Sequence, residues 1–379
     1  MSRSLASTST TLPITLKNNT SSGSVYCYVT GQAIDNNYAV FLLQADGLTP
    51  YYPASPSRVG SPLQANCAIA LGAPGNSRTI TIPHIAGGRI WFSIDQPLTF
   101  LLNPGGNSPG LVEPSVTNGS DPNYNVNWGF AEFTYNSNQM YANITMVDFV
   151  SIPIALSLTN SSGGIQTVNG MPANGLQTVA AQLQQQTSAD GVQGWTNLLI
   201  NSPNGQLLRV LSPNNDIVMH PGDFNGYYDN YINQVLTQYT NSRLTSNVSG
   251  QTLTGSVQNG NIIIGSETFA RPNTADIFSS NSGPFSTGSN VMRNNIIPQL
   301  AAAFNRSTLL VSNQMPSPFS SFYQNSITNH YSRIVHNVVA GGKGYAFPYD
   351  DVPPSDGNDQ SGYVNDGAPV SMTVTVGGV

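Results

Sequence analysis

The sequence predicts a mainly β protein, with a barrel or sandwich built from both ends of the chain and a mixed α/β domain inserted between them. Three observations predict it. The 379 residues exceed what one hydrophobic core usually fills, so the length favours two domains or one large β architecture carrying an insertion. Residues 12 to 158 read as short apolar or alternating runs split by Gly, Pro and Asn clusters, as expected for a barrel or sandwich. Past Gly163 the character changes to Gln/Ala/Leu-rich helical material. The expected division is therefore residues 1–160 plus 340–379 for the β domain and 161–339 for the insertion.

The β runs are, in order, TLPITL, VYCYVTGQAI, YAVFLLQ, RTITIPHIAGGRIWFSI, LTFLL and the segment WGFAEFTYNSNQMYANITMVDFVSIPIAL from Trp128 to Leu156. Helices are expected at Leu176 to Gln186, Asp223 to Asn241, Asn294 to Asn305 and Phe322 to Val339, with strands LTGSVQ and NIIIGSETF among them. In the last helix Tyr323, Ile327, Tyr331, Ile334 and Val338 trace one apolar face, and Gly341 and Gly342 supply the stop. Strand character returns at GYAFPYDD. It ends in APVSMTVTV, where Val370, Met372, Val374 and Val376 alternate with Ser and Thr, and this strand is expected to rejoin the first sheet.

Composition narrows the partners. The net charge of -6 arises from 12 basic and 18 acidic residues, and the basic ones stand singly, so nucleic acid and anionic membranes are not expected partners. Abundant Asn, Gln, Ser, Thr and Tyr suit a neutral polysaccharide. No run approaches the roughly 18 apolar residues of a membrane span. The N-terminus lacks the apolar core of a signal peptide, and a secreted protein whose signal has been removed is expected. Cys27 and Cys67, the only cysteines, leave open one disulfide or two buried thiols. His84, His220, His330 and His336 show no metal-ligand spacing and read as structural, and no cofactor motif appears.

The chemistry concentrates in the long segment from Trp128. Only 8% of residues are charged and only three are glutamates, yet Glu132 lies inside a strand-like aromatic run, with Asp148 sixteen residues on. Two carboxylates so placed are the equipment of a glycosidase. Strand alternation puts Glu132, Thr134 and Asn136 on one face and Phe133 and Tyr135 on the other. The aromatic neighbours Trp128, Phe130, Phe133 and Tyr135 are expected to raise the Glu132 pKa, while Asp148 must stay ionised through hydrogen bonds.

At WGFAEFTYN followed by YANITMVDFVSIPIAL, and again at GGRIWFS and GYAFPYDDV, the sequence resembles the β-1,3-glucanases of glycoside hydrolase family 64, the laminaripentaose-producing type. The resemblance implies a thaumatin-like β domain and a mixed α/β domain walling a wide groove for extended β-1,3-glucan. It also implies inverting hydrolysis without a cofactor. Carried over, Glu132 matches the family's general acid and Asp148 its general base, and Thr134, Asn136 and Thr145 match sugar-contacting positions. Tyr141, where the family carries a tryptophan, takes the stacking position. The expected molecule is a monomeric, secreted endo-β-1,3-glucanase, the alternative being a non-catalytic glucan-binding protein on the same fold.

A tight turn at Ser137 and Asn138 would set Glu132 opposite Asn143 and leave Asp148 about 16 Å along an unbroken strand. Inversion needs a carboxyl separation of roughly 6.5 to 9.5 Å. A longer loop over Asn136 to Met140 is therefore expected, with Glu132 facing Thr145 to Val147 and a bulge or strand end near Val147. Without the resemblance, such a carboxylate pair is more often structural than catalytic. Asp121, Asp350 and Asp351 read equally as groove residues or as turn caps and ion-pair partners, Arg89 and Lys343 being the candidate cations. Trp91, Trp195, Tyr227, Tyr228 and Tyr231 read as packing residues before sugar platforms.

Overall fold

The computed structural model describes residues 8–106, 108–357 and 359–379; residues 1–7, where a signal-peptide core was sought, lie outside them. Strand Thr11–Asn18 buries Leu12, Ile14 and Leu16 and turns the alternate residues outward, the period-2 pattern read from TLPITL. It lies between Ser77–Pro83 and the C-terminal strand Pro369–Val376. Pairing with that last strand is parallel, Ile14 opposite Met372, so the chain end does rejoin the first sheet. Ile154–Asn160 and Ile165–Val168 complete the five strands.

The second, eight-stranded sheet carries the site. Its central order is Gln139–Ile144, Asn127–Asn136, Ile85–Ile94, Val25–Ala33, with Tyr363–Asp366 beyond Gln139–Ile144 at one edge. The inner face contributes Val29, Ile90, Phe92, Ala131, Phe133 and Tyr135 to the buried cluster that also holds Ile14, Ile80 and Val374 of the first sheet, so the two sheets form a sandwich. The outer face is covered at one end only. There Tyr28, Trp91, Phe100, Trp128, Phe130 and Phe149 form a separate aromatic cluster. Each such ring contributes roughly 2 to 3 kcal/mol by leaving water.

Beyond this sandwich, Phe149–Val150 pairs with Leu207–Leu211 in a small sheet, and a five-stranded sheet, including Leu244–Val248, Gln251–Gln258 and Asn261–Ile264, packs with helices Asp229–Asn241 and Val291–Asn305. One buried apolar cluster runs without a break from the sandwich into these helices, through Tyr231, Ile262, Ile296 and Phe304. The expected strands LTGSVQ and NIIIGSETF are present, the latter as Asn261–Ile264 and Glu267–Phe269. With 33% strand and 22% helix the molecule is mainly β.

Several elements depart from expectation. The last helix covers only His330–Val338, because the Asn329 side chain accepts the Ser332 amide and caps it there. Tyr323, counted on its apolar face, sits outside it at a φ of 57°. Gly341 and Gly342 do follow at positive φ. Asp223 to Tyr228 is a turn before helix Asp229–Asn241, and two short helices, Pro213–Met219 and Thr274–Ser279, were not anticipated. GYAFPYDD is coil and turn instead of strand. Its Asp350 is anchored inward to Arg306 and His336. Cys27 and Cys67 are free, buried thiols; burial pushes the Cys67 thiol up to about 11.

Candidate active site

Asn127–Asn136 and Gln139–Ile144 form a tight hairpin, with Asn136 opposite Gln139 and Glu132 opposite Asn143. The longer loop expected over Asn136 to Met140, and the pairing of Glu132 with Thr145 to Val147, are therefore wrong. The Asn136 carboxamide oxygen accepts the amides of Asn138 and Gln139 and closes the two-residue turn. The 16 Å objection assumed a strand continuing to Asp148. It ends at Ile144 instead. Thr145 Oγ1 then accepts the Val147 amide at 3.4 Å, bending the chain out of the ladder before Asp148.

Along strand Asn127–Asn136 the outward positions change character in one step. Trp128 and Phe130 are buried in the aromatic cluster, whereas Glu132, Thr134 and Asn136 are partly exposed. Glu132 thus stands where the covered part of the sheet gives way to an open depression lined also by Gly88, Arg89, Leu111, Glu113, Thr134, Tyr141 and Asn143. Gly88 opposes Phe133, and an added Cβ there would meet the Phe133 ring at 2.4 Å. The missing side chain lets that ring fill the core beneath the depression.

Of the aromatic residues expected around Glu132, Trp128 and Phe130 share its side of the strand but belong to the cluster at the covered end. Phe133 and Tyr135 point into the inner core, as alternation requires, and the open flank is occupied by Arg89, whose Nε lies 3.5 Å from Glu132 Oε1. Arg89 Nη1 also binds Glu113 Oε2, while Glu113 Oε1 accepts Thr30 Oγ1 at 3.0 Å and that hydroxyl accepts Trp91 Nε1 at 3.0 Å. The Arg89 guanidinium lies 4.8 Å from the centre of the Phe130 ring. A fixed relay thus runs from the buried indole to the Glu132 carboxyl. Arg89 and Glu113 were not identified as site residues from sequence; Arg89, expected as a cation for Asp350 or Asp351, pairs instead with Glu113 and Glu132, because strand pairing sets it opposite Glu132.

Asp148 borders an adjoining depression, which shares Arg89 with the first and adds Trp91, Trp128, Phe130 and Asn215. Its carbonyl accepts the Ser212 amide and Asn215 Nδ2, and its Oδ1 accepts Asn215 Nδ2 at 3.4 Å. Only the last of these bonds reaches the carboxylate; the other two hold the Asp148 backbone against the start of helix Pro213–Met219, which Ser212 caps. Tyr331, in the last helix, fixes the preceding turn by donating to the Met146 carbonyl at 2.6 Å.

The structure brings Glu132, Thr134 and Tyr141 together and sets Asp148 in the neighbouring depression. Thr145 lies beside Asp148 in a narrow crevice with Ile144 and Met146, and Asn136 sits at the hairpin turn. Tyr141 faces Thr134 across the ladder and stacks on Tyr363 at 5.4 Å. Burial, then the charges of Asp359 and Asp351, hold its hydroxyl up at about 12. Asp351, exposed and near both Tyr141 and Tyr345, has its own carboxyl raised by the surrounding protein and by Asp359. Asp121 caps a turn by accepting the amides of Ser115 and Asn123. Trp91, Trp195, Tyr228 and Tyr231 are fully buried packing residues.

An open sheet face bearing two carboxylates, one placed by a hairpin and one by the turn that follows it, holds the pair of groups that glycoside hydrolysis uses. The chain belongs to the β-1,3-glucanase family, glycoside hydrolase family 64, whose pattern it matches over residues 10–376. It is 28% identical over 373 residues to a glucan endo-1,3-beta-glucosidase of Arthrobacter sp. (strain YCWD3), covering 93% of this chain and 64% of that protein. A second, from Cellulosimicrobium cellulans, is also 28% identical, over 370 residues. The chain thus spans somewhat under two thirds of these relatives' length. A laminaripentaose-producing β-1,3-glucanase solved with laminaritetraose superposes with a TM-score of 0.84 at 30% identity, covering 97% of this chain and 98% of that one. A family 64 domain from Clostridium beijerinckii shares the fold, with a TM-score of 0.73 at 22% identity.

Proposed function

We propose that this protein is an endo-acting β-1,3-glucanase that cuts neutral β-1,3-glucan into short oligosaccharides with inversion, Glu132 serving as general acid and Asp148 as general base. The observation that carries the reading is the step from buried aromatics to open polar positions at Glu132, with Asp148 in the adjoining depression across Arg89. In the reaction Glu132 gives its proton to the glycosidic oxygen as the bond to the anomeric carbon breaks. Asp148 takes a proton from the water attacking that carbon from the opposite side. Atoms balance with one water consumed per bond and no cofactor used.

Thr134, Tyr141 and Thr145 contact the sugar in this reading, and Asn136 does so at the hairpin edge. The β domain, expected to end at residue 160, also takes in strand Ile165–Val168 and forms a thaumatin-like wall with the C-terminal strand, the rest of the expected insertion up to residue 339 forms the other wall of a wide groove, and the enzyme acts as a secreted monomer. Incubation with insoluble linear β-1,3-glucan, with products sized and their anomeric form read by NMR before mutarotation, tests the proposal. Release of α-anomeric ends is expected. Binding without release would instead make the protein a glucan lectin.

A further inference from the structure

A second group of ionisable side chains lies along and just past the helix that holds Asp148, with Asp216 in its first turn, His220 at its C-terminal cap and Asp223 in the turn that follows. Asp216, His220 and Asp223 each offer one ligand atom, and these atoms all lie within 4.8 Å of one another. His220 Nδ1 is 3.0 Å from Asp216 Oδ1. Without an ion these two atoms share a hydrogen bond, and they would need to separate by only a few tenths of an ångström to reach the roughly 3.4 Å between two ligands of a tetrahedral ion about 2.1 Å from each. Asp216 is fully buried, and its other oxygen, Oδ2, has no hydrogen-bond partner among the described residues. Asp223 adds a second carboxylate close enough to act on Asp216 electrostatically. Among the described residues, neither carboxylate meets a lysine or arginine in an ion pair.

Two carboxylates and one imidazole turned together, one oxygen buried without a donor, form an arrangement completed by a positive charge. We infer that Asp216, His220 and Asp223 form a binding site for one divalent cation of the zinc type. The single imidazole selects a first-row ion over calcium or magnesium, which take larger sets of oxygen ligands. The half-exposed His220 leaves the remaining coordination positions to water.

The ligands are fixed in advance. The His220 amide donates to the Asp216 carbonyl and the Asp223 amide to the His220 carbonyl. Asn197 Nδ2 donates to Asp223 Oδ2 at 2.7 Å, orienting that carboxylate as metal ligands are commonly oriented. Phe224, the next residue, is locked at a φ of 60° with its ring 4.7 Å from that of Trp195. Little ordering remains for the ion to impose. Asn215, one residue before Asp216, holds Asp148, so an ion here also steadies the segment behind that carboxylate.

The test is titration of the full chain, stripped with chelator, with zinc chloride near neutral pH by isothermal calorimetry, with thermal melts and hydrogen exchange run alongside. One ion per chain is expected, with a raised Tm and slower exchange over residues 212–223. His220→Ala and Asp223→Asn, both outside the core, should each weaken binding roughly tenfold or more. Absence of saturable uptake overturns the site, as does uptake that persists unchanged in both variants. A metal-free Asp223→Asn protein more stable than a wild type that takes up no zinc would mean that the two carboxylates share a proton instead.

Discussion

At the scale of residues, the depression is organised by Arg89, whose one planar group bridges Glu113 and Glu132 while stacking on Phe130. Glu132→Gln keeps the shape and removes the transferable proton. Turnover should fall by roughly a thousandfold while glucan pull-down stays near wild type, and wild-type turnover would refute the assignment. Arg89→Lys keeps the charge but cannot span both carboxylates, so kcat should drop roughly tenfold with KM little changed. An unaltered kcat would reduce Arg89 to a surface ion pair. Glu132 was legible in the sequence because a lone glutamate in an aromatic strand is conspicuous. Its partner was not, because Glu113 lies nineteen residues earlier in a coil segment that only folding brings alongside.

At the scale of elements, the hairpin and the helix start behind it do separate work. Gly88→Ala forces a methyl against the Phe133 ring across the ladder and should destabilise the protein by about 2 kcal/mol, read as a lower urea midpoint at constant slope. Asn215→Ala removes the side chain that holds Asp148 and should lower kcat roughly tenfold while leaving the unfolding free energy from urea titration within about 1 kcal/mol of wild type. Equal losses in both quantities would make Asn215 merely structural. Alternation along the hairpin strands was readable because its period belongs to the backbone. Turn length was misjudged because the carboxyl separation was computed along a strand, and where a strand ends depends on its partners. Tyr363–Asp366 pairs with residues 140 to 143, and beyond them the Ile144 and Met146 amides donate to the coil carbonyls of Gly362 and Tyr345, where the regular ladder ends.

At the scale of the whole molecule, a buried ionic cluster ties the helix His330–Val338 to the coil before the last strands. His336 Nε2 and Arg306 Nη2 hold the two oxygens of Asp350 at 2.8 and 3.0 Å, and His336 Nδ1 donates to the Gly342 carbonyl at 2.8 Å. Burial opposes the His336 charge, but the Asp350 carboxylate and these hydrogen bonds outweigh it and raise the pKa above 6.5. Burial likewise opposes ionisation of Asp350, and His336 and Arg306 outweigh it, so its pKa falls below 3.8. The stability owed to His336 is complete below pH 6.5 and disappears as pH rises through its raised pKa. That owed to Asp350 is complete above pH 3.8 and disappears as pH falls through its lowered value. Both therefore operate in full between these limits. His336→Gln should cost about 3 kcal/mol at mildly acidic pH, a difference that shrinks as pH rises past neutrality. Urea unfolding across a pH series measures it, and a difference independent of pH would exclude a charged His336.

By itself the sequence determined a strand-rich barrel or sandwich, the return of the C-terminal strand to the first sheet, the outward face of Glu132 and the family, since these follow from side-chain period and from contiguous motifs. Only the tertiary structure decided what surrounds each carboxyl. Arg89 beside Glu132, Asn215 beside Asp148 and the burial of Asp350 under Arg306 all join residues far apart in the chain or set by a strand's end. The physical reason is that pattern along a chain reports which face a residue takes, whereas charge, hydrogen bonding and exposure are properties of the neighbours that folding brings to that face.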